Sequence, residues 1–131
     1  MGEETISARM LAALRLALGA FFLAAGLAKV FAPDIAASFV AEAGLPGPRG
    51  IALAIGAAEA FAGIVLIADA RTRTVARALI AFVALVAIVF HNPIGLPPGI
   101  AHMTRVSLAV DLFVVLGLWI LARGSPRPAP I

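Results

Sequence analysis

Four apolar stretches, near residues 10–31, 51–68, 75–90 and 104–122, leave this chain few folds to choose from. Each approaches the roughly 20 residues that carry a helix across the hydrocarbon of a bilayer. A segment there must satisfy its own backbone, which a helix does. The third stretch is the shortest, and Thr72 to Thr74 extend it if the neighbouring arginines snorkel outward. Composition agrees with this reading, at 63% hydrophobic and 13% charged. Soluble domains run nearer 45–50% and about 25%. The expected fold is all-α and integral to the membrane: a four-transmembrane-helix bundle, one domain over residues 1–123, with a disordered cytoplasmic tail at 124–131.

The polar punctuation sets the connections. Pro33 closes the first span. Residues 34–43 then predict a short amphipathic helix lying in the interface between spans 1 and 2. Its apolar side is Ile35, Ala36, Phe39, Val40 and Ala43; its polar side is Asp34, Ser38 and Glu42. Gly44, Pro46, Gly47, Pro48 and Gly50 form a helix-breaking link. Residues 69–77 read as a basic hinge, and 91–102 as a proline- and glycine-rich loop. Trp119 fits an interfacial anchor. Glu3 and Glu4 make the leading region acidic, unlike a secretory signal, so the first span is expected to be retained.

Basic residues fix the expected orientation. Arg9, Arg71, Arg73, Arg77, Arg123 and Arg127 fall on the side shared by the termini, against Lys29, Arg49 and Arg105 on the other. The positive-inside rule then places both termini in the cytoplasm of a multi-pass protein of the cell (inner) membrane. The basic residues punctuate apolar runs instead of forming a solvated patch, which argues against a nucleic-acid partner. The partners expected are the lipid bilayer and another membrane protein, or the chain itself as a homo-oligomer.

Two stripes stand out. Arg15, Gly19, Phe22, Gly26 and Lys29 step by four, three, four and three, and so share one helical face. Ala52, Gly56, Glu59, Gly63 and Leu66 repeat the pattern in the second span. Gly19, Gly26, Gly56 and Gly63 let helices approach closely. Glu59, in mid-membrane, costs too much to face lipid, so it should turn into the bundle. Asp111, with Thr104 and Ser107 on one side of the fourth span, supplies a second acid, and His91 ends the third span. The polar seam expected is therefore Arg15, Lys29, Glu59, His91 and Asp111. Arg15 is expected to pair with Glu59, and Lys29 with Asp111 or His91 or with the interface as a snorkelling anchor. On that pairing, Arg15→Leu should destabilise more than Lys29→Leu. Such a seam either fixes helix register or forms a site.

Several chemistries are excluded or unsupported. The chain has no cysteine, so thiolate and disulfide chemistry are closed to it. It has no phosphate-binding glycine loop, catalytic-triad signature or HExxH motif. His91 and His102 are spaced unlike zinc ligands, and no metal site is expected. No catalytic residue and no resident cofactor are assigned.

Leu14-Arg15-Leu16-Ala17-Leu18-Gly19, Phe22-Leu23 and Ala25-Gly26-Leu27-Ala28-Lys29 resemble the first span of DoxX-like membrane proteins. Gly44-Leu45-Pro46 and the Gly56, Glu59, Gly63 spacing are similar to that family too. Within this broad group, Ala17 to Phe22, Ile55-Gly56-Ala57, Gly63-Ile64-Val65 and Phe90-His91 are similar to NACHO-type chaperones of nicotinic receptor assembly. The first loop is much shorter here, and the alanine- and arginine-rich style is bacterial. The resemblance implies a four-span bundle and two functions. One is an accessory protein, not an enzyme, that binds transmembrane helices of partner proteins and assists their assembly. The alternative is a membrane subunit of a redox system that binds a quinone or similar lipid-soluble ligand, since the family's namesake belongs to a thiosulfate–quinone oxidoreductase. A transporter is the weakest reading, because four short unbroken spans would need an oligomer.

Overall fold

The computed structural model describes residues 2–91 and 98–125, with side chains from 8–91 and 104–125. Five helices follow one another: α1 Gly2–Phe31, α2 Pro33–Glu42, α3 Pro48–Ile67, α4 Thr72–Phe90 and α5 Pro98–Gly124. Four of them contain segments long and apolar enough to cross a membrane: Ala8–Phe31, Pro48–Ile67, Thr72–Phe90 and Thr104–Gly124. The fold is a four-span helical bundle with a short extra helix between the first two spans. The tail expected to be disordered falls at 126–131, outside the described residues.

Local chemistry explains the breaks. Pro33 and Pro48 open α2 and α3, where a missing N–H is harmless. Gly47 precedes Pro48 at φ +60, a left-handed turn that glycine makes without a Cβ penalty. The α3–α4 turn reverses in four residues, and both Asp69 (φ 55) and Arg71 (φ 52) are left-handed. The Thr72 hydroxyl donates to Asp69 Oδ1 at 2.5 Å and closes that turn. Two expected boundaries shift. The basic hinge is shorter than 69–77, because α4 already starts at Thr72. The proline loop is shorter too: Pro98 opens α5, so residues 98–102 are helical.

The helices assemble as two antiparallel pairs. α1 lies mainly against α3, and α4 against α5, with lighter contact between the pairs. The apolar core joins all four through Leu18, Phe22, Leu66, Ala76, Leu79, Val83, Leu118, Leu121 and Ala122. It sits toward the end of the bundle where α1 begins, α3 turns into α4 and α5 finishes, termed here the termini end. Toward the opposite, far end no described residue of α4 after Val83, nor of α5 before Leu118, is buried. α2 covers the far end of α3, burying Pro33 and Val40 but leaving Ile35 and Phe39 exposed. Arg49 joins α2 to α3 by donating to Asp34 at 2.6 Å; an exposed pair of this kind contributes under about 1 kcal/mol.

Candidate functional site

The glycine stripes build the frame of the site. All five expected positions of the α3 stripe, Ala52, Gly56, Glu59, Gly63 and Leu66, are buried. They meet the α1 stripe head to tail. A Cβ placed on Gly63 would lie 2.5 Å from Leu23 N and 2.6 Å from the Gly19 carbonyl oxygen. One placed on Gly26 would run into Ala60 N and the Gly56 carbonyl oxygen. The two backbones therefore touch at both ends of the seam, and the register between α1 and α3 is fixed.

That register decides the charge pairs. Lys29 Nζ donates to Glu59 Oε2 at 2.8 Å. The Glu59 side chain is 10% exposed and that of Lys29 30%. Arg15 is elsewhere: Nη1 donates to the carbonyls of Leu66 at 2.6 Å and Ile67 at 2.7 Å. Its Nε also lies 3.6 Å from Asp69. The expected Arg15–Glu59 pair is thus replaced by Lys29–Glu59, and Lys29 is neither a snorkelling anchor nor a partner of Asp111. Arg15 and Lys29 are separated by roughly 20 Å along the α1 axis, so only one of them can meet Glu59.

Side-chain lean selects which. On a helix each Cβ tilts toward the N-terminus. Lys29 therefore leans into the bundle, while Glu59, on an antiparallel helix, leans toward it. Arg15, on the same helix, leans the same way as Lys29, and so away from Glu59 and toward the last carbonyls of α3, whose negative dipole end attracts a cation.

The second helix pair repeats both contacts. His91, at the C-cap of α4, pairs through Nδ1 with Asp111 Oδ2 on α5. Arg73, near the start of α4, donates from Nε to the Ala122 carbonyl of α5 at 3.0 Å. The α1–α3 and α4–α5 pairs thus share one plan. An arginine on the first helix caps the C-terminus of the second, and a basic residue at the end of the first meets a carboxylate within the second. The sequence holds no repeat that would have shown this, because the two pairs share contact types and not residue identities. Arg73 was missed as a site residue for the same reason. Arg15→Leu and Arg73→Leu are each expected to cost about 1–2 kcal/mol by removing charge-assisted hydrogen bonds to terminal carbonyls. Thermal unfolding in detergent checks this; wild-type midpoints for both would remove the caps as a source of stability.

A groove of about 560 Å³ opens between α3 and α4. Ala58, Ala62 and Val65 form one wall and Thr74, Ala78 and Phe82 the other. Glu59 borders it deep in the bundle, and Arg71 stands at its termini end. It exists because α3 gives its glycine face to α1, and α4 packs chiefly on α5.

The expected seam residues therefore form two separate pairs, Lys29 with Glu59 and His91 with Asp111, while Arg15 serves the helix terminus. Every buried side-chain nitrogen or oxygen among the described residues has a partner. No group of three metal-ligating side chains occurs among them, and the His102 side chain lies outside them.

A family model described as DoxX matches residues 10–92. The match runs from α1 to just beyond α4, and so includes Lys29, Glu59 and His91 but not Asp111. No curated protein and no solved structure matches the chain.

Proposed function

Since the chain belongs to the DoxX family, we propose that it is a small membrane accessory protein that takes a transmembrane helix of a partner into its α3–α4 groove. The observation that carries this reading is a buried, ion-paired carboxylate bordering an apolar groove that has small residues at helical spacing on both walls. Ala58 and Ala62, and Thr74 and Ala78, are spaced by four on the two walls. Small residues at that spacing let a third helix approach its neighbours closely. The role is assembly- or chaperone-like, in the manner of the NACHO-type resemblance, with the partner another membrane protein or a second copy. The basic residues favour a cell-membrane placement with both termini cytoplasmic.

The test compares wild type with Ala62→Phe, which fills the groove, and Glu59→Gln, which removes the charge. Wild type, purified after cross-linking in gentle detergent, should bring down a defined membrane protein. Ala62→Phe should lose about tenfold of it while still inserting and unfolding cooperatively, the scale of a modest membrane-helix contact. Glu59→Gln should insert normally and recover less partner. Equal recovery with Ala62→Phe would remove the groove as the binding surface.

One observation favours a second reading, a quinone-like ligand: about 560 Å³ falls within the 300–1,000 Å³ typical of small-molecule sites. A stoichiometric lipid-soluble compound in an extract of wild type, absent from Ala62→Phe, would select it.

A further inference from the structure

We infer that the partner helix is recognised at two points: a neutral side chain that donates a hydrogen bond to Glu59, and an acidic side chain nearer the termini end that meets Arg71. This rests on the reading that the groove receives a helix.

Glu59 sets the first requirement. Its carboxylate has about four acceptor positions, and Lys29 approaches only Oε2. Because Lys29 already balances its charge, a docking cation would carry unbalanced charge into an apolar groove, which is costly. A second acid would be repelled. A serine, threonine, amide or indole donor adds a hydrogen bond and no charge.

Arg71 sets the second. Among the described residues its guanidinium makes no ion pair or hydrogen bond. The nearby Asp69 is engaged by Arg15 and Thr72. The groove therefore ends on an unpaired cation, and charge complementarity asks for an anion there. From Glu59 to the end of α3 is about 12 Å at the helical rise. A partner helix presenting both groups on one face would carry them about seven or eleven residues apart.

The experiment uses the absence of cysteine from the chain. Ala78→Cys places a single thiol on the groove wall. Single-span test segments, each with one central cysteine, are co-expressed with it in both orientations. The segments carry leucine and alanine only, a serine at mid-span, an aspartate toward one end, or both. Disulfide yield reports docking. The segment with both groups should cross-link about tenfold more than the apolar one. Glu59→Leu should erase the gain from serine alone, and Arg71→Gln the gain from aspartate alone. Equal yield from every segment would overturn the two-point recognition while leaving the groove a helix site. No yield from any segment, with the thiol still open to a small maleimide, would overturn the groove reading as well. An aspartate gain that appears only after reconstitution into uncharged lipid would assign Arg71 to lipid phosphate and overturn the acidic contact.

Discussion

Gly26→Ala is expected to destabilise the folded chain by about 3 kcal/mol or more, at the upper end of what overpacking costs. The added methyl meets Ala60 N and the Gly56 carbonyl oxygen, both backbone atoms. Neither can rotate away, so α1 and α3 must separate. Gly63→Ala should behave alike, because its methyl faces Leu23 N and the Gly19 carbonyl. Gly117→Ala is the control: its nearest neighbours are the Leu14 and Leu18 methyls at 3.5 Å, ordinary contact, and the change should stay within about 0.5 kcal/mol. Thermal unfolding of the three variants in one detergent checks the order. A Gly26→Ala midpoint equal to that of Gly117→Ala would rule out the close backbone contact.

Lys29→Leu should cost about 3 kcal/mol, because breaking a buried pair leaves its partner charged and unmatched. Here the stranded group is Glu59, whose side chain is 10% exposed. The reverse change is milder. Glu59→Leu leaves a lysine that is already 30% exposed and long enough to reach water. Its cost should be about 1 kcal/mol, the scale of one polar contact between membrane helices. The double variant Lys29→Leu/Glu59→Leu should recover most of the loss, since two apolar side chains replace the pair without a desolvated charge. Lys29→Leu should also exceed Arg15→Leu, opposite to the order expected from sequence. Unfolding measurements on the four variants decide it. A double variant no better than Lys29→Leu would mean that the two side chains do not act as a pair.

The contrast between Arg15 and Lys29 shows where sequence is sufficient and where it fails. The faces were legible: a four-three spacing names a helical stripe wherever the helix goes, and all five α3 positions are buried. The four membrane-length helices and the short helix between the first two were legible from hydropathy and from proline. The pairing was not, because it depends on register between helices, set by which glycine meets which. It depends also on the lean of each side chain along its axis, which reverses between antiparallel neighbours. Arg15 shares its helical face with Lys29, and a long side chain leaning the wrong way cannot use its length. The groove was not legible at all. Ala58, Ala62, Thr74 and Ala78 become its walls because α4 gives its buried face mainly to α5.

The uneven placement of the core has a mechanical meaning. At one end, apolar side chains from all four spans meet in one core. At the other, α4 and α5 bury no described residue before Leu118 or after Val83, and their pair is tied by His91 and Asp111. Local stability follows the density of buried apolar contact. Like a spring clip, the fold is expected to give first at its jaws, with α4 and α5 parting there while the α1–α3 pair, locked backbone to backbone, holds.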